Sequence, residues 1–147
     1  MMRSIPSLAV ALTFFAAPAL AWQAGIEGAV CTLDHSGAEA QVRLTYDPAL
    51  PEYTIAISAA EPWPEAAVFA MRFDGARSGM ISTARHVLSG DGLTLSVSDR
   101  GFGNVLDGLE FNEVALAATG ETVITIDLDG AAPEVAAFRA CITAPSA

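Results

Sequence analysis

Glu39-Ala40-Gln41-Val42-Arg43-Leu44-Thr45-Tyr46 alternates without a break. Ala40, Val42, Leu44 and Tyr46 fall on one side, and Gln41, Arg43 and Thr45 on the other. Period two with one polar face marks a half-buried β-strand. Asp47-Pro48 and Pro51 end it. The same alternation returns at Tyr53–Ala59, with Tyr53, Ile55 and Ile57 inward, and at Ala67–Phe73, with Phe69, Met71 and Phe73 on one face. Upstream, Glu27–Asp34 reads as a first strand carrying Cys31, stopped by His35-Ser36-Gly37. Downstream, Gly79–Arg85 is a weaker strand. Ser89-Gly90-Asp91-Gly92 is a hairpin signal leading into Leu93–Ser98. Thr122–Leu128 is rich in β-branched residues and reads as a strand; Glu113–Ala118 fits strand or helix.

Two segments change period. Phe102, Val105, Leu106 and Leu109 share a stripe only if residues 104–109 are helical, with Asn104 as a plausible cap. Ala131–Cys141 reads as a closing helix, with Pro133 in its first turn and Val135, Phe138 and Ile142 as its buried stripe. About seven short strands and a terminal helix predict a mainly β domain. The expected form is an antiparallel sandwich, or a strongly curved sheet, with the helix packed on it.

Residues 1–21 have a different character. Arg3 precedes an apolar run from about Leu8 to Ala17, and Ala19-Leu20-Ala21 has the small-x-small pattern of a signal-peptidase site. This order reads as a secretory signal peptide. The run falls short of the roughly 20 apolar residues of a membrane span. No Cys follows the cut, so no lipid anchor is indicated. The expected mature chain is one domain, residues 22–147, periplasmic or secreted, with no membrane anchor after cleavage.

Cleavage also removes Arg3, leaving six Arg against 17 acidic residues, a net charge of −11 with both His neutral. The sequence contains no Lys, which excludes Schiff-base, Ser–Lys and P-loop chemistry. Phosphate backbones need concentrated positive charge, so nucleic acid is excluded as a partner. An acidic surface mainly maintains solubility, and it also suits a basic partner protein. The two cysteines, Cys31 and Cys141, meet an oxidising compartment if the chain is exported. They are then expected to pair and serve structure, the alternative being two buried thiols.

Few residues offer chemistry. His35, in Asp34-His35-Ser36, reads as a polar turn residue, since neighbouring side chains in a strand end diverge rather than form a triad. His86 lies before the hairpin, and two isolated His give no zinc spacing. No catalytic set, metal site or cofactor motif is assigned. Asp99-Arg100-Gly101-Phe102-Gly103-Asn104, with Asp107 and Glu110, is the richest polar cluster. It reads as a strand-to-helix connection, or as a loop-built ligand pocket using Asp99, Asn104, Asp107 and Glu110; its spacing does not match an EF-hand. Trp63, between two prolines and two glutamates, is the other candidate binding residue. It is either an anchor on a stiff loop or a side chain folded over the open end of the core.

The signal, Trp22-Gln23-Ala24-Gly25, Cys31, Tyr46-Asp47-Pro48, Val68–Phe73, Gly101-Phe102-Gly103-Asn104 and Ala137-Phe138-Arg139-Ala140-Cys141 together resemble a family of small exported alphaproteobacterial proteins without a known activity. The likeness spans nearly the whole chain after Ala21. Its motifs are structural and carry over no active site. Members are sometimes named as excinucleases, a name this chain does not support: it has no Gly-x-x-x-x-Gly-Lys-Ser/Thr loop and is strongly acidic. The expectation is therefore a non-catalytic binding module. The alternatives are an inhibitor or partner of a basic envelope enzyme such as a lysozyme, and a small hydrolase using the 99–110 cluster or His86.

Overall fold

Period-two patterning builds two antiparallel sheets in the computed structural model, which describes residues 2, 4–6, 9–13 and 21–144. Half of the apolar run (residues 8 and 14–17) and Ala19-Leu20 of the expected cut lie outside the described residues. The first sheet contains β1 (Trp22–Glu27), β2 (Val30–Ser36), β3 (Ala40–Asp47), β4 (Glu52–Ala59), β7 (Val87–Ser89) and β8 (Thr94–Asp99), in the order β1-β2-β3-β4-β8-β7. The second contains β5 (Phe69–Gly75), β6 (Gly79–Thr83), β9 (Asn112–Thr119) and β10 (Thr122–Asp127), in the order β10-β9-β5-β6. Helix α1 (Gly103–Glu110) joins β8 to β9, and α2 (Ala131–Thr143) follows β10. The fold is mainly β, with a C-terminal helix packed on a sheet, as the sequence predicts.

Ten strands stand among the described residues where seven were expected. The additions are β1, β7 and β9. The expected first strand is two: Glu27 pairs with Val30 across a two-residue hairpin. Gly28 opens that hairpin at φ +61°, a conformation that glycine adopts without strain. The Ser89–Gly92 hairpin pairs β8 with β7, whereas Gly79–Thr83 joins the other sheet. The ambiguous 113–118 segment is strand β9, whose Ala115 and Ala117 are fully buried.

Register aligns the inward residues into cross-strand ranks, the units that stabilise a sheet face. One rank of the first sheet runs Leu33, Leu44, Ile55, Val97. The next runs Trp22, His35, Val42, Ile57, Leu95, Leu88. The second sheet answers with Ile124, Ala117, Met71, Ile81. These faces and the two helices enclose a single core cluster.

Trp63 belongs to that core. It is 3 % exposed, its indole N–H donates to the Ile57 carbonyl at 3.1 Å, and its ring meets Phe69 edge-on. The 60–68 segment crosses from β4 to β5, and Trp63 plugs the end of the sandwich beneath it. Of the two readings of this residue, folding over the open end of the core is the one the geometry takes; the surface-anchor reading is corrected.

Helix α1 spans the apolar stripe as expected, burying Phe102, Val105, Leu106 and Leu109. The cap differs: Phe102 occupies the N-cap position without a side-chain bond, and Asn104 lies inside the first turn. The helix approaches β5 closely because residue 108 is glycine; a Cβ there would lie 2.5 Å from the buried Phe73 ring. In α2, Val135 and Phe138 are fully buried, and Ile142 is partly buried against the core.

Cys31 and Cys141 are bonded, with Cα atoms 6.0 Å apart, tying β2 to the last turns of α2 across 110 residues of chain. Closing a loop of that size removes roughly 4–5 kcal/mol of unfolded-chain entropy in the polymer model. Cys141→Ala is expected to lower unfolding free energy by about 2–5 kcal/mol in denaturant titration. Unchanged stability would show that the bridge constrains nothing the core does not already hold.

Candidate functional site

The two facing ranks end at the same side of the sandwich, in Val97 on β8 and Ile81 on β6. Strand β7 begins opposite Ser96, so Val97, Ser98 and Asp99 have no neighbour beyond β8. The shortness of β7 leaves a cleft between the sheets there, with a volume of about 620 Å³. Its walls are apolar: Ile55 and Val97 face Phe69, Met71 and Ile81, and Phe102 forms the end by α1. That size and lining fall within the usual range for small-molecule sites.

Polar residues line the cleft too, among them Ser82, Thr83, Arg85, Asp99 and Asn104, with the exposed Arg85–Asp99 ion pair at the mouth. Arg85 donates from Nη2 to Asp99 Oδ2 at 2.9 Å. The other Asp99 oxygen accepts the Arg100 backbone N–H at 2.7 Å. The Arg85 backbone N–H donates to Thr83 Oγ1 at 3.0 Å, which fixes the segment crossing from β6 to β7. Gly101, Gly103 and Asn104 complete the rim.

The 99–110 cluster is thus divided. Asp99 and Asn104 line the cleft, whereas Asp107 and Glu110 turn to the other face of α1 and meet Arg139 of α2, Asp107 at 2.6 Å and Glu110 at 3.6 Å. Those two carboxylates hold the helices together. Helical period separates them, because positions 107 and 110 sit a turn apart on the face away from Val105 and Leu109. Trp63 reaches the cleft only through Phe69, the wall residue it supports.

Neither histidine is placed for triad chemistry. His86 lies tilted against Phe69 with its ring centroid 6.2 Å away, and its Nδ1 is buried without a hydrogen-bond partner. His35 corrects the expectation of a polar turn residue. It continues the inward alternation of Cys31 and Leu33, is 3 % exposed and stacks on Trp22 at 4.2 Å. Its Nδ1–H donates to the Ala21 carbonyl at 2.9 Å, and Nε2 has no partner among the described residues. Among the described residues, no three His, Cys, Asp or Glu side chains gather as a metal-ligand set.

Burial lowers the His35 pKa from its ordinary 6.5, partly opposed by the Ala21 hydrogen bond and by the nearby Asp127 charge. Unfolded His35 therefore takes up a proton at a higher pH than folded His35. The stability contributed by the neutral ring is complete above about pH 6.5 and is lost as pH falls through the folded value. The expected result is a fall in Tm between about pH 7.5 and pH 5 that is smaller in His35→Phe. Equal acid losses in the two proteins would remove His35 as their source.

Local alternation places Ile81 and Val97 on strands, and Phe69 and Met71 on one face, but does not bring them around a shared space. One further residue escapes it. Asn112 is buried; its Oδ1 accepts the Arg77 N–H at 3.0 Å, and its Nδ2 donates to the Arg77 and Gly108 carbonyls at 2.9 and 3.0 Å. The only sequence signal is a lone amide opening an apolar strand. Comparison with protein-family models, with curated proteins and with solved structures finds no match to this chain.

Proposed function

We propose that this chain is an exported, non-catalytic binding domain that holds a small apolar ligand in the cleft between its sheets. The observation that carries the reading is the cleft itself: apolar side chains from both sheets line it, beside a smaller polar share that includes Ser82, Thr83, Arg85, Asp99 and Asn104. Export is supported by the N-terminal pattern and by the Cys31–Cys141 bond, which belongs to an oxidising compartment. The start of β1 adds to this, because Trp22, the residue that the cut would expose, is its first residue. Protein recovered from the native envelope should begin at Trp22. The resemblance to small exported alphaproteobacterial proteins agrees with this placement and adds no ligand.

The test uses a neutral apolar fluorophore, N-phenyl-1-naphthylamine. The folded protein should bind it at one site, and Val97→Trp, which fills the cleft from β8, should abolish binding without lowering Tm. If the parent protein binds no probe, the cleft is not an apolar site and the reading fails. A basic envelope protein is the second reading, favoured by the net charge of −11 alone now that Trp63 lies in the core. Its mark would be a salt-sensitive association rate.

A further inference from the structure

The chemistry of the cleft mouth is asymmetric, and this selects among ligands for the site proposed above. Each Asp99 oxygen already accepts a hydrogen bond, one from Arg85 and one from the Arg100 backbone. The guanidinium spends one of its five N–H groups on that carboxylate, and the Arg85 side chain is 71 % exposed. Arg85 therefore keeps unspent, solvent-facing donors at the mouth, and part of the Asp99 charge is already engaged. Behind the mouth, the half-buried Ile81 and Val97 line the cleft above the buried Met71 and Phe102, an apolar surface that suits an alkyl chain and offers a carboxylate nothing.

We infer that the ligand is a single-chain amphiphile with a carboxylate head, its alkyl chain between the sheets and its head on the Arg85 guanidinium. Planar, two-point donation matches a carboxylate better than it matches a hydroxyl or an ammonium. Asp99 holds the guanidinium from the β8 side through Nη2 and leaves its other N–H groups unspent. The chain carries a net negative charge, so an anion gains most where an arginine stands at an apolar opening.

The inference rests on the ligand reading above, and the experiment separates the two. Dodecanoate, dodecanol and dodecyltrimethylammonium are each titrated against bound N-phenyl-1-naphthylamine, below their micelle concentrations. Dodecanoate should displace the probe at about tenfold lower concentration than either of the others. Arg85→Gln should erase that preference while leaving probe binding and Tm intact, and Arg85→Lys should restore part of it. Arg72→Gln, in an exposed ion pair with Asp74 and outside the cleft lining, should leave all three titrations unchanged. If the probe binds and the three heads displace it equally, the cleft takes apolar chains and the carboxylate inference is overturned. If the preference survives Arg85→Gln, the head lies elsewhere and the assignment to Arg85 is overturned. Protein that sediments with phosphatidylglycerol vesicles but ignores free dodecanoate would show that the head is a membrane lipid's, and would overturn the free-carboxylate form.

Discussion

Trp63→Ala is expected to lower the unfolding free energy by about 3–5 kcal/mol, the range for truncating a large buried aromatic. The indole is almost wholly enclosed, so the substitution leaves a cavity at the crossover end of the sandwich. It also removes the hydrogen bond from the indole N–H to the Ile57 carbonyl. The Phe69 wall loses its edge-on neighbour, so ligand binding should weaken together with stability. A docking anchor would behave oppositely, losing about 2 kcal/mol or more of binding with unfolding unchanged. Chemical denaturation of Trp63→Ala beside the parent decides between them. A change below about 1 kcal/mol would return Trp63 to the surface and revive the basic-partner reading.

The second large effect is expected at Phe138. Its ring is fully buried in α2, where the helix meets β1, β2 and α1. Phe138→Ala removes the central contact of that junction and should cost about 3–5 kcal/mol. The disulfide lies one turn further along, so it keeps the helix near the sheet even when its packing is lost. The double variant Phe138→Ala/Cys141→Ala should therefore lose more than the sum of the two single changes. Strict additivity would mean that the bridge and the aromatic act on separate parts of the helix. A loss under about 1 kcal/mol would place the helix at the periphery.

The sequence alone determined the fold class, the closing helix and those core residues that lie on its alternating strands and helical stripes. Strands such as 40–46, 53–59 and 69–73 have one apolar and one polar face, and that alternation is a local property that any burial must respect. Phe138 and the helical stripe of α1 were legible for the same reason, at a different period. The cysteine pairing followed from chemistry and compartment rather than geometry, and the structure joins the two residues as expected.

Tertiary structure decided the rest. Strand β9 is rich in alanine, a helix former, and becomes a strand because small residues at 115 and 117 allow β9 to lie between β5 and β10 beneath the core. His35 looked like part of a polar turn, yet β2 runs on to Ser36, and period two carries the ring inward onto Trp22. Trp63 was open between two readings because prolines stiffen a loop without saying which way it faces; the crossover between sheets turned it in. The cleft was invisible for a related reason. It arises where β7 stops short of Val97, so that residues from β4, β5, β6 and β8 are left facing one another. Such a space is set by where strands end relative to their neighbours, a long-range register that no local pattern records.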